Sequence, residues 1–246
     1  MPELRPCAIV PVYNHPDTIA AVCAELAALG LPVVLVDDGC DGACRHALER
    51  LEAGGHHLVT HERNRGKGAA VRSGLAEAER LGYSHGLQVD ADGQHHSDDL
   101  PAFLAAMHQA PEALMVGYAC YDDSVPKARL YGRYATHVWV WINTLSRHIR
   151  DTMCGVRLYP LAAVNALLDR HRCGNRMTFD TEVLVRWYWS GGTLHNLPVR
   201  VHYPAHGVSH YAMGRDNAQL SLMHARLFFA MWPRVPSLMR RRRRQP

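Results

Sequence analysis

The first 120 residues alternate short apolar runs with stretches of helical period. CAIVPV (7–12), VVLVDD (33–38), HLVTH (57–61), GLQVD (86–90) and ALMVGY (113–118) each have the length and composition of a buried strand. Between them the spacing predicts helices over about 17–29, 41–53, 66–81 and 98–109, the first stopped by Gly30 and the second by Gly54 and Gly55. Strands and helices in this alternation predict an α/β fold, a mostly parallel sheet with helices on both faces. Ligands in such sheets bind at the carboxyl ends of the strands, where Tyr13, Asp37, Asp38, Asp90 and Asp92 fall.

The second half is less regular. A helix over about 128–147 precedes DTMCGVRLYP (151–160), a further helix spans about 161–171, and FDTEVLVRWYW (179–189) leads to a strand-like LHNLPVRVHY (194–203). No repeat or long linker divides residues 1–212, which are expected to form one domain. Residues 213–246 read as an amphipathic helix and a basic tail. Leu220, Met223, Leu227 and Met231 recur at helical spacing, and Phe228, Phe229 and Trp232 widen the apolar face. Pro233 and Pro236 are expected to interrupt that helix before MRRRRR.

Composition narrows the function classes. With 246 residues and 48% hydrophobic content the chain can fill an ordinary core. Its formal net charge is +4, and Arg240 to Arg244 alone supply more than that, so the body is close to neutral and offers no broad nucleic-acid surface. Seven cysteines without a CxxC pair favour reduced thiols in a cytosolic setting over a disulfide framework or a zinc site. No run of about 18 apolar residues is present, and MPELRPCAIV lacks a signal-peptide pattern, so neither a membrane span nor secretion by that route is expected.

Two stretches carry candidate chemistry. In VDADGQH (89–95), Asp90 and Asp92 are two apart on an extended segment, so both carboxylates can face one point, where a cation would relieve their repulsion. An EF-hand is excluded because Gly93 is fourth and Pro101 twelfth in the loop. With Asp92 and Gln94 offering oxygen, Mg²⁺ or Mn²⁺ open to phosphate oxygens suits the pattern; a solvated turn with an Asp helix cap is the plain alternative. HERNRGKGAAVRSG (61–74) is neither a Walker loop nor a dinucleotide fingerprint. It does open a helix N-terminus beside Arg65 and Lys67, suited to a diphosphate or to a basic loop.

PVYN (11–14), VDDGCDG (36–42), NRGKGAAVRSGL (64–75), VDADGQH, DTMCGVRLYP and FDTEVLVR (179–186) occur in one order at ordinary loop spacing. Together they resemble the family 2 glycosyltransferases of GT-A (Rossmann-like) fold, nearest the branch of dolichyl-phosphate mannosyl- and glucosyltransferases and polyprenyl-phosphate glycosyltransferases. The resemblance covers roughly residues 6–205. It implies that Pro11, Tyr13, Asn14 and Asp38 wall the donor nucleotide with Asp37 alongside, and that Lys67 and Asp90 face the donor. It further implies Asp90, Asp92 and Gln94 around a metal, Arg129 and Arg133 for phosphate, Asp151 on the acceptor side, and Asp180 and Glu182 as the acidic pair handling an acceptor hydroxyl. One departure stands out. The mannosyltransferases carry an arginine shortly before a G-x-S triplet, where this chain has Pro204, Ala205 and His206 ahead of Ser209 and His210, which puts a lipid-phosphate acceptor in question.

The reaction so implied is a single in-line displacement with inversion from a UDP- or GDP-sugar, with Asp180 or Glu182 as base for a hydroxyl acceptor and no base for a phosphate. The helix over about 216–232 with Arg234 and the arginine run is expected to rest on an anionic membrane surface, placing the protein on the cytoplasmic face beside a lipid-linked acceptor. A helix packed on the domain with a disordered tail is the alternative. Rival functions are a non-catalytic nucleotide-sugar-binding membrane scaffold and a sugar nucleotidyltransferase, the latter lacking its N-terminal glycine-rich loop. A nucleic-acid role is not expected.

Overall fold

The computed structural model describes residues 3–121, 127–201 and 213–242, without the side chains of 121, 127–133, 135 and 213. Its strands are β1 (Pro6–Val12), β2 (Val33–Asp37), β3 (His57–Thr60), β4 (His85–Gln88), β5 (Leu114–Tyr121), β6 (Arg157–Pro160) and β7 (Leu194–Val201). The helices are α1 (Ile19–Ala28), α2 (Gly42–Ala53), α3 (Lys67–Arg80), α4 (Leu100–Gln109), α5 (Lys127–Thr144), α6 (Leu161–Arg170), α7 (Thr178–Trp189), α8 (Met213–Met231) and α9 (Val235–Arg242).

One seven-stranded sheet runs β3-β2-β1-β4-β6-β5-β7, and β6 alone is antiparallel to its neighbours. Period-two alternation along the strands sorts the core onto two faces. Cys7 and Ile9 of β1 join the cluster that includes residues of α3, α6 and α7, while Ala8, Val10 and Val12 join the one with α1, α2 and α4. The predicted helices on both faces are therefore observed. The antiparallel β6 matters for the site: because it pairs Gln88 with Arg157, the loop that precedes it, 151–156, ends beside the carboxyl end of β4.

The C-terminal segment is not a helix followed by a free tail. Leu220, Met223, Leu227 and Met231 are at most 8% exposed and belong to the α3–α6–α7 core, so the stripe read from the sequence as membrane-facing lies against the domain. After a 3-10 turn at Trp232–Arg234, α9 begins with Pro236 in its first turn, where a missing N–H costs nothing. Arg241 is docked: its guanidinium donates to the Tyr188 and Gly192 carbonyls at 2.7 and 2.6 Å and lies over the Tyr188 ring. Arg243 and Arg244 lie outside the described residues. No helix among the described residues is long and apolar enough to cross a membrane.

Candidate active site

The carboxyl ends of β1 and β2 are tied together by the residues expected around the donor. Asn14 takes a left-handed backbone (φ 55°) and its Oδ1 accepts the Asp41 N–H at 2.8 Å, joining the loop after β1 to the start of α2. Asp37 accepts the Cys40 N–H at 2.7 Å, with Arg45 4.0 Å from its other oxygen. Asp38 is fully engaged. Its Oδ1 meets His61 Nδ1 at 2.7 Å and the Arg65 N–H at 2.9 Å, and its Oδ2 accepts the Gly66 N–H at 2.8 Å. Asp38 thus shapes the basic loop from within, and both acids are buried behind the partly exposed Pro11, Tyr13 and Asn14. Gly39 completes the turn because a Cβ there would strike the backbone of Arg63 and Asn64.

That loop delivers Lys67 to the N-terminus of α3, and Lys67 joins the two halves of the site. Its Nζ lies 2.8 Å from the Asp90 carboxylate and 3.5 Å from Asp180 Oδ2. Asp180 lies 3.2 Å from Arg157 Nη1, which also donates to the Asp180 carbonyl at 2.7 Å, while Nη2 donates to the Thr152 carbonyl at 2.7 Å. The result is a chain of alternating charge, Asp90, Lys67, Asp180, Arg157, running from β4 through the first turn of α7 to β6. Burial works against the charge of Lys67, but Asp180 and Asp90 outweigh it and hold its pKa above the ordinary value. Burial likewise opposes ionisation of Asp90, yet Lys67 and His95 keep its pKa well below the carboxylate range.

Asp92 is in a different state. Burial and the charge of Asp90 raise its pKa, outweighing the Gln94 N–H and the pull of His95 and Lys67. The turn holding it is fixed by the Gln94 N–H, donated to Asp92 Oδ1 at 3.1 Å, and by Gly93 at φ +68°. Among the described residues no three His, Cys, Asp or Glu side chains form a ready-made metal cage. The donor chemistry nonetheless fits a hard divalent cation: a partly buried carboxylate with no close ion pair among the described residues, Gln94 next to it, and Asp90 nearby but paired with Lys67.

The expected acidic pair is not brought together. Asp180 and Glu182 are two apart on α7, about 200° around a helix, so they leave it on different sides. Glu182 instead receives Arg186 at 2.6 Å and the Gly174 N–H at 2.9 Å, a clamp on the loop before α7. Asp151 is buried, accepts the Met153 and Ala119 N–H groups at 2.7 and 3.1 Å, and has His137 at 3.4 Å. It anchors the 151–156 loop to β5. Arg129 and Arg133 lie on α5 with their side chains outside the description, and His206, Ser209 and His210 fall outside the described residues.

Three site residues were not singled out from the sequence. Arg157 sits in a segment that reads as an ordinary strand, and its guanidinium is fully buried. Gly155 leaves room for the Asp90 carboxylate, which a side chain there would displace. His95, 4.0 Å from Asp90 Oδ2, lies one turn past the acids, a spacing that could have marked it.

The sheet, with acids and a lysine converging at its carboxyl edge, has the GT-A architecture. Residues 7–170 match the sequence model of glycosyl transferase family 2, and the chain belongs to that family. It is 27% identical over 213 residues to the dolichyl-phosphate beta-glucosyltransferase of Drosophila melanogaster, covering 74% of this chain and 62% of that enzyme. It is 34% identical over 184 residues to glycosyltransferase AglJ of Haloferax volcanii, covering 73% of this chain and 57% of that protein. The chain therefore spans about three fifths of the length of these relatives. Among solved structures, glucosyl-3-phosphoglycerate synthase from Mycobacterium tuberculosis in complex with Mn²⁺ and UDP-glucose superposes with a TM-score of 0.67 at 14% identity, over 94% of this chain and 79% of that one. That likeness concerns the fold.

Proposed function

We propose that the protein is an inverting, metal-dependent glycosyltransferase that moves a sugar from a nucleotide-sugar donor to a lipid-linked phosphate at the cytoplasmic face of a membrane. The observation that carries this reading is Lys67, whose ammonium joins Asp90, the residue expected beside the donor, to Asp180, the residue expected to face the acceptor. Support for the acceptor comes from the relatives, named for dolichyl phosphate, and for a nucleotide sugar from the UDP-glucose complex.

The chemistry divides among the residues as follows. A divalent cation held by Asp92 and Gln94 would supply Lewis-acid stabilisation of the departing diphosphate. Lys67, already cationic, lies at the N-terminus of α3, where backbone N–H groups and a positive dipole end favour an anion. The bond between the anomeric carbon and the diphosphate oxygen breaks as the acceptor oxygen attacks from the opposite side, which inverts the centre. Asp180 has its oxygens turned to Lys67 and Arg157, so its first task is to fix those cations across the cleft. An acceptor that is already an anion, such as a phosphate monoester, brings its own nucleophilic oxygen and needs no base.

The test is turnover of radiolabelled UDP- and GDP-sugars with and without polyprenyl phosphate, in Mn²⁺ and in EDTA. A glycolipid formed only with metal, and lost in Asp92→Ala without a change in melting temperature, is the expected result. Absence of turnover with every donor would reject the reading.

A further inference from the structure

Burying the stripe of Leu220, Met223, Leu227 and Met231 leaves the opposite side of α8 outward, and that side mixes Leu222 and Phe229 with Ser221 and Arg226. Nine large apolar side chains are exposed among the described residues, and eight of them stand on α5, α8, the 3-10 turn and α9. Phe229 is 71% exposed and Trp232 61%, with Leu222 on the same helix and Tyr134, Trp139 and Ile142 on α5. Rings link the two helices: Trp139 meets Phe228 at 6.5 Å, and Phe228 meets Phe229 at 5.7 Å and Trp232 at 6.0 Å. A contiguous exposed aromatic patch of this kind marks a partner.

Charge says which partner. Residues 213–242 hold six arginines against one acid, Asp216, and that acid is buried. From Tyr134 to Arg150 there are two arginines and no acid. A second copy of the chain would set arginine against arginine across a twofold axis, which like charges oppose. Tryptophan and phenylalanine beside arginine is instead the combination that suits a bilayer boundary, rings among the upper acyl chains and guanidinium groups on lipid phosphates. We propose that the outward face of α5 and α8, centred on Trp139, Phe229 and Trp232 and rimmed by Arg226 and Arg240, docks on an anionic bilayer. This rests on the membrane-associated acceptor proposed above and gives it a specific surface, to which Phe229 and Trp232 belong while the Leu220, Met223, Leu227 and Met231 stripe, expected to share their face, does not.

The full chain is sedimented with vesicles of phosphatidylcholine alone and with added phosphatidylglycerol, at low and high salt, and its tryptophan fluorescence is followed with dibrominated lipid. Binding only to the anionic vesicles, weakened by salt and accompanied by quenching, is expected. Phe229→Ser with Trp232→Ser should lower the partition coefficient roughly tenfold or more, and Arg226→Glu with Arg240→Glu should do so through charge. Both variants should keep the wild-type melting temperature and donor turnover. The proposal is overturned if wild type ignores anionic vesicles, if both variants bind undiminished, or if ultracentrifugation shows a dimer that the aromatic variant dissociates without any vesicle binding. Donor turnover keeps the two readings apart: its absence in wild type condemns the enzymatic reading and leaves the vesicle result standing.

Discussion

Replacing Lys67 by Met removes the ammonium and leaves an apolar side chain of similar reach between two carboxylates. With Nζ at 2.8 Å from Asp90 and 3.5 Å from Asp180, the direct attractions at an effective dielectric of 20 are about 6 and about 5 kcal/mol. Most of this is offset by desolvation, several kcal/mol per ion, so the pairs contribute far less net than their sum. Deleting one partner is another matter, because Asp90 loses its closest counter-ion and Asp180 keeps only Arg157. A loss of about 3 kcal/mol is expected, at the low end for a buried pair because the lysine side chain is 20% exposed. For a chain of this size that is a fall of about 6–12 °C in melting temperature. Urea unfolding of wild type, Lys67→Met, Asp180→Asn and the double variant closes a cycle with an expected coupling of about 1–3 kcal/mol. Mn²⁺ should also raise the melting temperature of Lys67→Met more than that of wild type, since two uncompensated acids attract a cation more strongly than one. Additivity within about 0.5 kcal/mol, together with a wild-type melting temperature for Lys67→Met, would refute the bridge.

The two acids of α7 should separate in assay. Asp180→Asn loosens Lys67 and Arg157 and should lower turnover about a hundredfold, whereas Glu182→Gln weakens the clamp on Arg186 and Gly174 and should cost about 1–2 kcal/mol of stability with turnover nearly intact; equal losses of turnover would contradict this division. His224 of α8 is buried against α5, and burial pushes its pKa down to about 4. The folded state therefore binds fewer protons than the unfolded state between pH 4 and 6.5, so stability from this group is complete above about pH 6.5 and falls, by up to about 1.4 kcal/mol per pH unit, as the pH drops through that window. Melting curves at pH 7.5 and 5.0 check it, and His224→Gln should narrow the difference between them.

The first half of the fold was legible because each strand and helix there carries its own local signal. Short, mostly apolar strands between amphipathic helices need no partner to be recognised, and β1 to β5 fall where the alternation puts them. The helix α7 was harder to read. Phe179, Thr181, Val183, Leu184, Val185, Trp187 and Tyr188 are all buried, so a helix enclosed on nearly every side shows no polar face for a periodicity to reveal. On α8 the period was right and its meaning was not: an apolar stripe specifies that something covers it, and a domain core serves as well as a lipid surface.

The candidate site divides along the same line. That Asp90 and Asp92 lie at the end of β4 follows from sequence alone, since a strand's end fixes where its next residues stand. What each carboxylate does depends on which cation reaches it, and that is decided by contacts between residues far apart in the chain. Lys67 is 23 residues from Asp90 and Arg157 is 23 from Asp180. Two acids written one residue apart read as equivalent ligands. In the folded chain Asp90 is paired directly with Lys67, which holds its pKa down, while burial and the charge of Asp90 push that of Asp92 up, so the two differ in their electrostatic setting. The antiparallel β6 produces much of this difference, because only a strand entering from the carboxyl edge can set Gly155 against Asp90 and Arg157 against Asp180. Sequence motifs therefore marked the acids at the end of β4, and the topology decided which cations meet them.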